Sequence, residues 1–161
     1  MYLVTINTEE QFTANPATFN LSPIEESDSE LIGFNTGDDA DYQITPFSHI
    51  NDNSQSVLLS ADNHLSDLDN LPKSVQTVIF YVADFKDGRV FSLVRHLKQS
   101  GFKGDIWIAG EFSLDQSGYF YKSGATGFIV QDNQLATLKN TLADLKTAHF
   151  GQSVNSLPMF R

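Results

Sequence analysis

From Val57 onward, short apolar runs alternate with amphipathic stretches, and this alternation constrains the fold more than any other feature of the chain. Val57-Leu58-Leu59 is the first run. Asp62 or Asn63 is placed to cap a short helix through Leu65, Leu68 and Leu71, which Pro72 ends. Residues 78–82 form a continuous apolar run of the kind that parallel sheets bury on both faces. Val90, Leu93, Val94 and Leu97 then recur at i, i+3, i+4 and i+7, the stripe of an amphipathic helix. Gly101 stops that helix in the position where glycine relieves the backbone. Residues 106–109 and 128–130 read as two further strands, separated by a helix over 113–123 that Gly124 stops. Leu135, Leu138, Leu142 and Leu145 mark a last helix, with Asp132 or Asn133 as its cap. Strand–helix alternation implies parallel strands joined by right-handed crossovers.

The expected fold is therefore α/β: an open, mainly parallel sheet of about four strands with helices on both faces. Four such units would also make half of a (βα)₈ barrel, but closing one takes about 250 residues. A chain of 161 residues suits the open sheet better. Residues 57–150 are expected to form this α/β domain and 151–161 a tail. Residues 1–56 read as an acidic lead-in, β-rich or partly disordered. Tyr2–Ile6, Leu31–Phe34 and Tyr42–Phe47 look like strands there, and Ser22–Glu26 could open one helical turn. Residues 7–30 are left open to disorder.

Charge divides the chain unevenly. Residues 1–72 hold thirteen Asp or Glu and no Lys or Arg, whereas 73–161 hold all ten Lys and Arg against seven acids. The acidic part reads as solvated surface, or as a region that docks on a basic face, its own or a partner's. A net charge of −10 repels nucleic acid and anionic membranes, so neither is an expected partner. No run approaches the roughly 20 apolar residues of a membrane-spanning helix. The start of the chain lacks the basic and apolar regions of a signal peptide, which makes the cytoplasm the expected location. With no cysteine there is no disulfide, thiol nucleophile or thiolate metal site. His49, His64, His96 and His149 are scattered without metal-ligand spacing. No dinucleotide fingerprint, P-loop or serine-hydrolase elbow occurs, so no metal or cofactor is expected.

The loops that follow parallel strands gather on one edge, where α/β folds place ligands. Here those loops bring Asp62, then residues 84–89, then 111–116, then Gln131 and Asp132. Lys86 and Arg89 stand beside a helix start and are candidate anion-binding residues. Asp84, Asp87 and Asp115 are candidate acid–base residues, with Gly88, Glu111 and Gln116 on the rim. Each also has a structural reading. Asp87 can cap the helix, and Arg89 can pair with Asp84 or Glu111 to brace two loops. Ser113 and Gln116 match a capping box.

The order Phe85-x-Asp87-Gly88-Arg89-x-x-Ser92, Arg95-x-Leu97, Gly101-Phe102-x-Gly104, Ala109-Gly110-Glu111 and Leu114-Asp115-Gln116 resembles a bacterial family of unknown function. That family carries the label of an oxidoreductase involved in sulfite reduction and is usually encoded beside sulfite reductase. The resemblance covers roughly residues 76–131. It implies a pathway, sulfite reduction and sulfur assimilation, and a partner, sulfite reductase, without implying a demonstrated reaction. Where the family often has Cys-Gly-Phe, this chain has Ser123-Gly124-Ala125, and Trp107 stands where an Arg is common. Residues 87–88 and 124–130 also resemble the second half of response-regulator receiver domains. Phe80 falls near the phosphoacceptor position, however, and Gln131 replaces the usual lysine. Three functions follow as expectations. The first is an accessory protein of sulfite reduction acting by protein contact or small-oxyanion binding. The second is a receiver-like interaction module without phosphorylation, as a homodimer. The third is an acid–base enzyme acting on a small anion.

Overall fold

The computed structural model of the protein describes residues 1–7, 9, 11–21, 34–35 and 40–152, of which 34–35 and 145–152 enter by backbone alone. Nine strands and four α-helices follow in chain order among these residues. They are β1 (Tyr2–Ile6), β2 (Phe12–Pro16), β3 (Phe19–Leu21), β4 (Phe34–Asn35), β5 (Tyr42–Pro46), β6 (Ser56–Ser60), α1 (Leu65–Asp69) and β7 (Thr77–Val82). After them come α2 (Arg89–Gln99), β8 (Asp105–Gly110), α3 (Ser117–Ser123), β9 (Gly127–Val130) and α4 (Leu135–Gln152). The strands join one sheet in the order β2-β1-β9-β8-β7-β6-β5-β3-β4. Neighbours from β9 through to β4 pair in parallel, while β1 runs antiparallel to both β9 and β2.

This sheet overturns the expectation of an open, mainly parallel four-strand sheet with helices on both faces. It has nine strands, it is mixed, and it curls into a half-barrel. The buried residues of the helices, among them Leu68, Val94, Phe120 and Leu138, pack in one cluster with Val57, Val78, Phe80 and Ile108. The alternate strand residues, including Leu58, Ile79, Trp107 and Ile129, face the other way and join Phe19 and Ile44 in a second cluster, which among the described residues contains no helix residue. Among the described residues the helices therefore line one face, and side chains of the curled sheet itself pack on the other.

Aromatic contacts measure that curl. Tyr42 lies in β5 and Trp107 in β8, three strands apart, a separation of about 14 Å in a flat sheet. Their ring centroids are 5.2 Å apart, and Phe19 of β3 lies 6.5 Å from Trp107. The chain enforces the same geometry at its start. Only Ala17 and Thr18 separate β2, at one end of the sheet, from β3, next to the other end. The Ala17 N–H donates to the Met1 carbonyl at 3.0 Å. Burial on both faces explains why 78–82 and 106–109 are apolar at successive positions.

Within 7–30, β2 and β3 are strands that the sequence pattern does not announce. The Ser22–Glu26 turn, the first part of the Leu31–Phe34 strand and most of the 151–161 tail lie outside the described residues. Gly101 and Gly124 end α2 and α3 at φ of 95° and 129°, a region that costs glycine nothing. The caps differ from expectation by a residue or two. His64 precedes α1, and the Asp67 carboxylate accepts its N–H at 2.8 Å. That bond, with one from Asn63, lowers the Asp67 pKa below its ordinary value. The last helix begins as a short 3-10 turn, where the Gln131 N–H donates to Gln134 Oε1 at 3.0 Å.

Candidate functional site

Pairing between β6, β7 and β8 keeps their carboxyl ends level, with Ser60 beside Tyr81 and Tyr81 beside Ala109. The loops that follow them consequently meet on one rim. Hydrogen bonds then tie each loop to the next. Glu111 N–H donates to the Val82 carbonyl, turning the chain beyond β8 against the end of β7. Gln116 carries two loops at once. Its Oε1 accepts the Ser113 N–H at 3.2 Å, and its Nε2 donates to the Phe85 carbonyl at 2.9 Å. The Gln116 position expected on the rim thus bridges the β8 and β7 loops, with Ser113 as the capping partner its spacing suggests.

The loop from Asp84 to Gly88 is shaped by its own carboxylates. Asp84 Oδ1 accepts the Lys86 N–H at 2.9 Å. Asp87 Oδ1 accepts the Arg89 N–H at 3.1 Å, so Asp87 receives the first helical N–H although Gly88 occupies the capping position of α2. Arg89 then folds back on Asp87. Its Nε lies 3.0 and 3.1 Å from the two carboxylate oxygens, and its Nη2 lies 2.6 Å from Oδ2. The same Nη2 reaches Asp62 Oδ1 at 3.4 Å, joining the β6 loop to the β7 loop. Arg89 braces loops, as one reading of the sequence has it, but through Asp87 and Asp62 and not through Asp84 or Glu111. Glu111 and Asp115 make no hydrogen bond or ion pair with it.

This pairing sets the chemistry available. The Arg89 guanidinium holds the Asp87 carboxyl down to about 2, and Asp87 in turn raises the pKa of Arg89. A carboxylate so acidic, with both oxygens on a guanidinium, is a weak base at neutral pH. An anion seeking Arg89 would compete with Asp87 for Nε and Nη2. It would also enter a rim where Asp62, Asp84, Asp87, Glu111, Asp115 and Asp132 outnumber Lys86 and Arg89. Between the ends of β8 and β9 a cleft of about 170 Å³ is lined by Gly110, Glu111, Gln131, Asn133 and Gln134.

The rim also presents apolar surface. Leu65, Phe85 and Tyr119 are the large apolar side chains most open to solvent among the described residues, at 45%, 50% and 64% exposure. Leu65 opens α1, Phe85 sits in the loop before α2, and Tyr119 lies in the first turn of α3. The half-buried Phe91 of α2 connects this surface to the core. It meets Tyr119 edge-on at 6.5 Å and stacks on buried Phe120 at 4.1 Å. Lys86 Nζ lies 5.8 Å from the centroid of the Phe85 ring, within the range of a cation–π contact. Sequence reasoning had no signal for Tyr119, which sits one position off the inward stripe that Phe120 marks.

Among the described residues no three His, Asp or Glu side chains gather as a metal site, and no helix is long and apolar enough to cross a membrane. No curated protein and no solved structure matches the chain. Residues 56–160 match a family described as bacterial proteins of unknown function (DUF934), a span that covers β6 to α4 and the whole rim. The chain belongs to that family.

Proposed function

We propose that this protein is an accessory protein of sulfite reduction and sulfur assimilation that works by contact with a partner protein, through the rim at the carboxyl ends of β6 to β9. One observation carries the contact reading: the three most exposed large apolar side chains among the described residues, Leu65, Phe85 and Tyr119, stand on this one rim. Water-exposed aromatic and aliphatic side chains grouped amid polar neighbours are the usual mark of an interaction site. Aromatic anchors also supply most of the binding energy in such contacts. The pathway rests on the resemblance of residues 76–131 to the sulfite-reduction family, and sulfite reductase is the partner it implies.

Contact accounts for the rim better than small-anion binding or acid–base chemistry does. The guanidinium of Arg89 is committed to Asp87, and the surrounding charge is negative. The anion reading has its own check in thermal shift with sulfite, sulfate and phosphate. The contact reading expects no stabilisation at millimolar concentrations.

Two experiments test the proposal. A strain lacking the gene should grow on cysteine and grow poorly on sulfate; equal growth on both removes the pathway. Tagged protein should co-purify sulfite reductase at low salt, and the F85S/Y119S double variant should not. Capture that the double variant leaves unchanged removes the rim as the contact surface.

A further inference from the structure

We propose that a second site, a groove at the opposite end of the sheet, binds a small amphipathic anion: an apolar body with one carboxylate or similarly charged head. The groove has a volume of about 700 Å³, and it lies between the loop from α1 to β7 and the loop from α2 to β8. Small-molecule sites occupy about 300–1,000 Å³ and combine an apolar lining with a few placed polar groups. Buried Leu68 and Leu97 form its floor at the ends of α1 and α2, and half-buried Leu71 and Phe102 form its sides. Because the groove spans only two neighbouring loops, it suits a compact ligand better than an extended chain.

Charge selects the head group. Lys73 stands on one wall and Lys103 on the other, both exposed. Neither pairs with an acid among the described residues, although the protein as a whole carries a net charge of −10. The acids nearest in sequence are engaged elsewhere. Asp69 is bound to His96 at 2.9 Å, and Asp105 accepts from Thr126 Oγ1 at 3.3 Å. Helix carboxyl ends would ordinarily repel an anion. Here several of the last-turn carbonyls are already met: Ser100 N–H donates to His96, Ser100 Oγ to Leu97, Gly101 N–H to Lys98, and Asn70 Nδ2 to Ser66. Two ammonium groups without an ion-pair partner among the described residues, set over an apolar floor, therefore favour a negative head on an apolar body.

The test uses the full chain, labelled for NMR, with octanoate and 1-octanol as a matched pair. Octanoate should give saturable amide shifts centred on Lys73, Gln76, Phe102 and Gly104, and octanol should bind about tenfold more weakly. The K73E/K103E variant should weaken octanoate binding by about tenfold or more, because each exposed charge contributes a fraction of a kcal/mol and reversal doubles the change. The proposal is overturned by equal binding of octanol and octanoate, by octanoate binding that the double variant leaves unchanged, or by shifts centred elsewhere. Absence of saturation up to about 10 mM overturns it as well. The octanol comparison needs no variant, and none of these outcomes bears on the rim.

Discussion

At the scale of single residues, the pairing of Asp87 with Arg89 makes a claim that pH can check. The folded carboxyl titrates near 2, below its ordinary 3.8. A depressed pKa contributes stability that is present above the unfolded value and is lost as pH falls from about 3.8 toward 2. Carbon-detected NMR should show the Asp87 carboxyl titrating near 2 in the native protein, and Arg89→Ala should move that midpoint upward; an unmoved midpoint would contradict the assigned cause. Gly127 makes a second claim. A Cβ there would sit 2.7 Å from Trp107 Cδ1 and 3.1 Å from both Trp107 Nε1 and the Val4 carbonyl. Backbone and a buried ring cannot yield cheaply, so Gly127→Ala should lower unfolding free energy by about 1–3 kcal/mol in urea titrations. The pairing of Arg89 was legible only in part. A brace was expected through Asp84 or Glu111, but Arg89 grips Asp87 and Asp62, and that choice depends on loop geometry that the sequence does not encode in its spacing.

At the scale of elements, the later part of the chain was readable because its strands and helices differ in period. The i, i+3, i+4, i+7 stripe of Val90, Leu93, Val94 and Leu97 is buried in α2. The continuous run at 78–82 is buried throughout in β7. The strands β2 and β3 were hidden by composition: Phe-Thr-Ala-Asn-Pro and Phe-Asn-Leu are too short and too polar to show alternation. Asn20 illustrates the difficulty, since it is wholly buried in β3 yet reads as a turn residue. The loops between elements carry the rim, and Gln116 is their link. Gln116→Ala removes its bonds to Ser113 and Phe85, and it should cost about 1 kcal/mol. Amide exchange should become faster at 85–88 while β7 stays protected; uniform exchange across both would show that Gln116 does not hold that loop.

At the scale of the whole molecule, the central difference from expectation lies in what covers the second face of the sheet. Periodicity reports that a strand is buried on both faces but not which partner buries it, and helices on both faces satisfied the pattern equally well. The curl that brings Tyr42 and Phe19 onto Trp107 depends on contacts between residues far apart in sequence. A chain of residues 56–161 keeps the span that matches the family but loses β1 to β5, which pair with β9 and β6 and help bury Ile79, Trp107 and Ile129. That fragment should show no cooperative unfolding transition, and its single tryptophan should emit at solvent-exposed wavelengths. A cooperative transition with blue emission would mean the first strands are dispensable. The proposed contact surface, by contrast, belongs wholly to the later part of the chain, on the side where the parallel strands end. Amide hydrogen exchange of the full protein with and without purified sulfite reductase reads that surface most directly. Protection on binding is predicted at 61–65, 84–91 and 113–119, with the groove at 71–76 and 100–104 unaffected; protection confined to other segments, or none at all, would contradict contact through the rim.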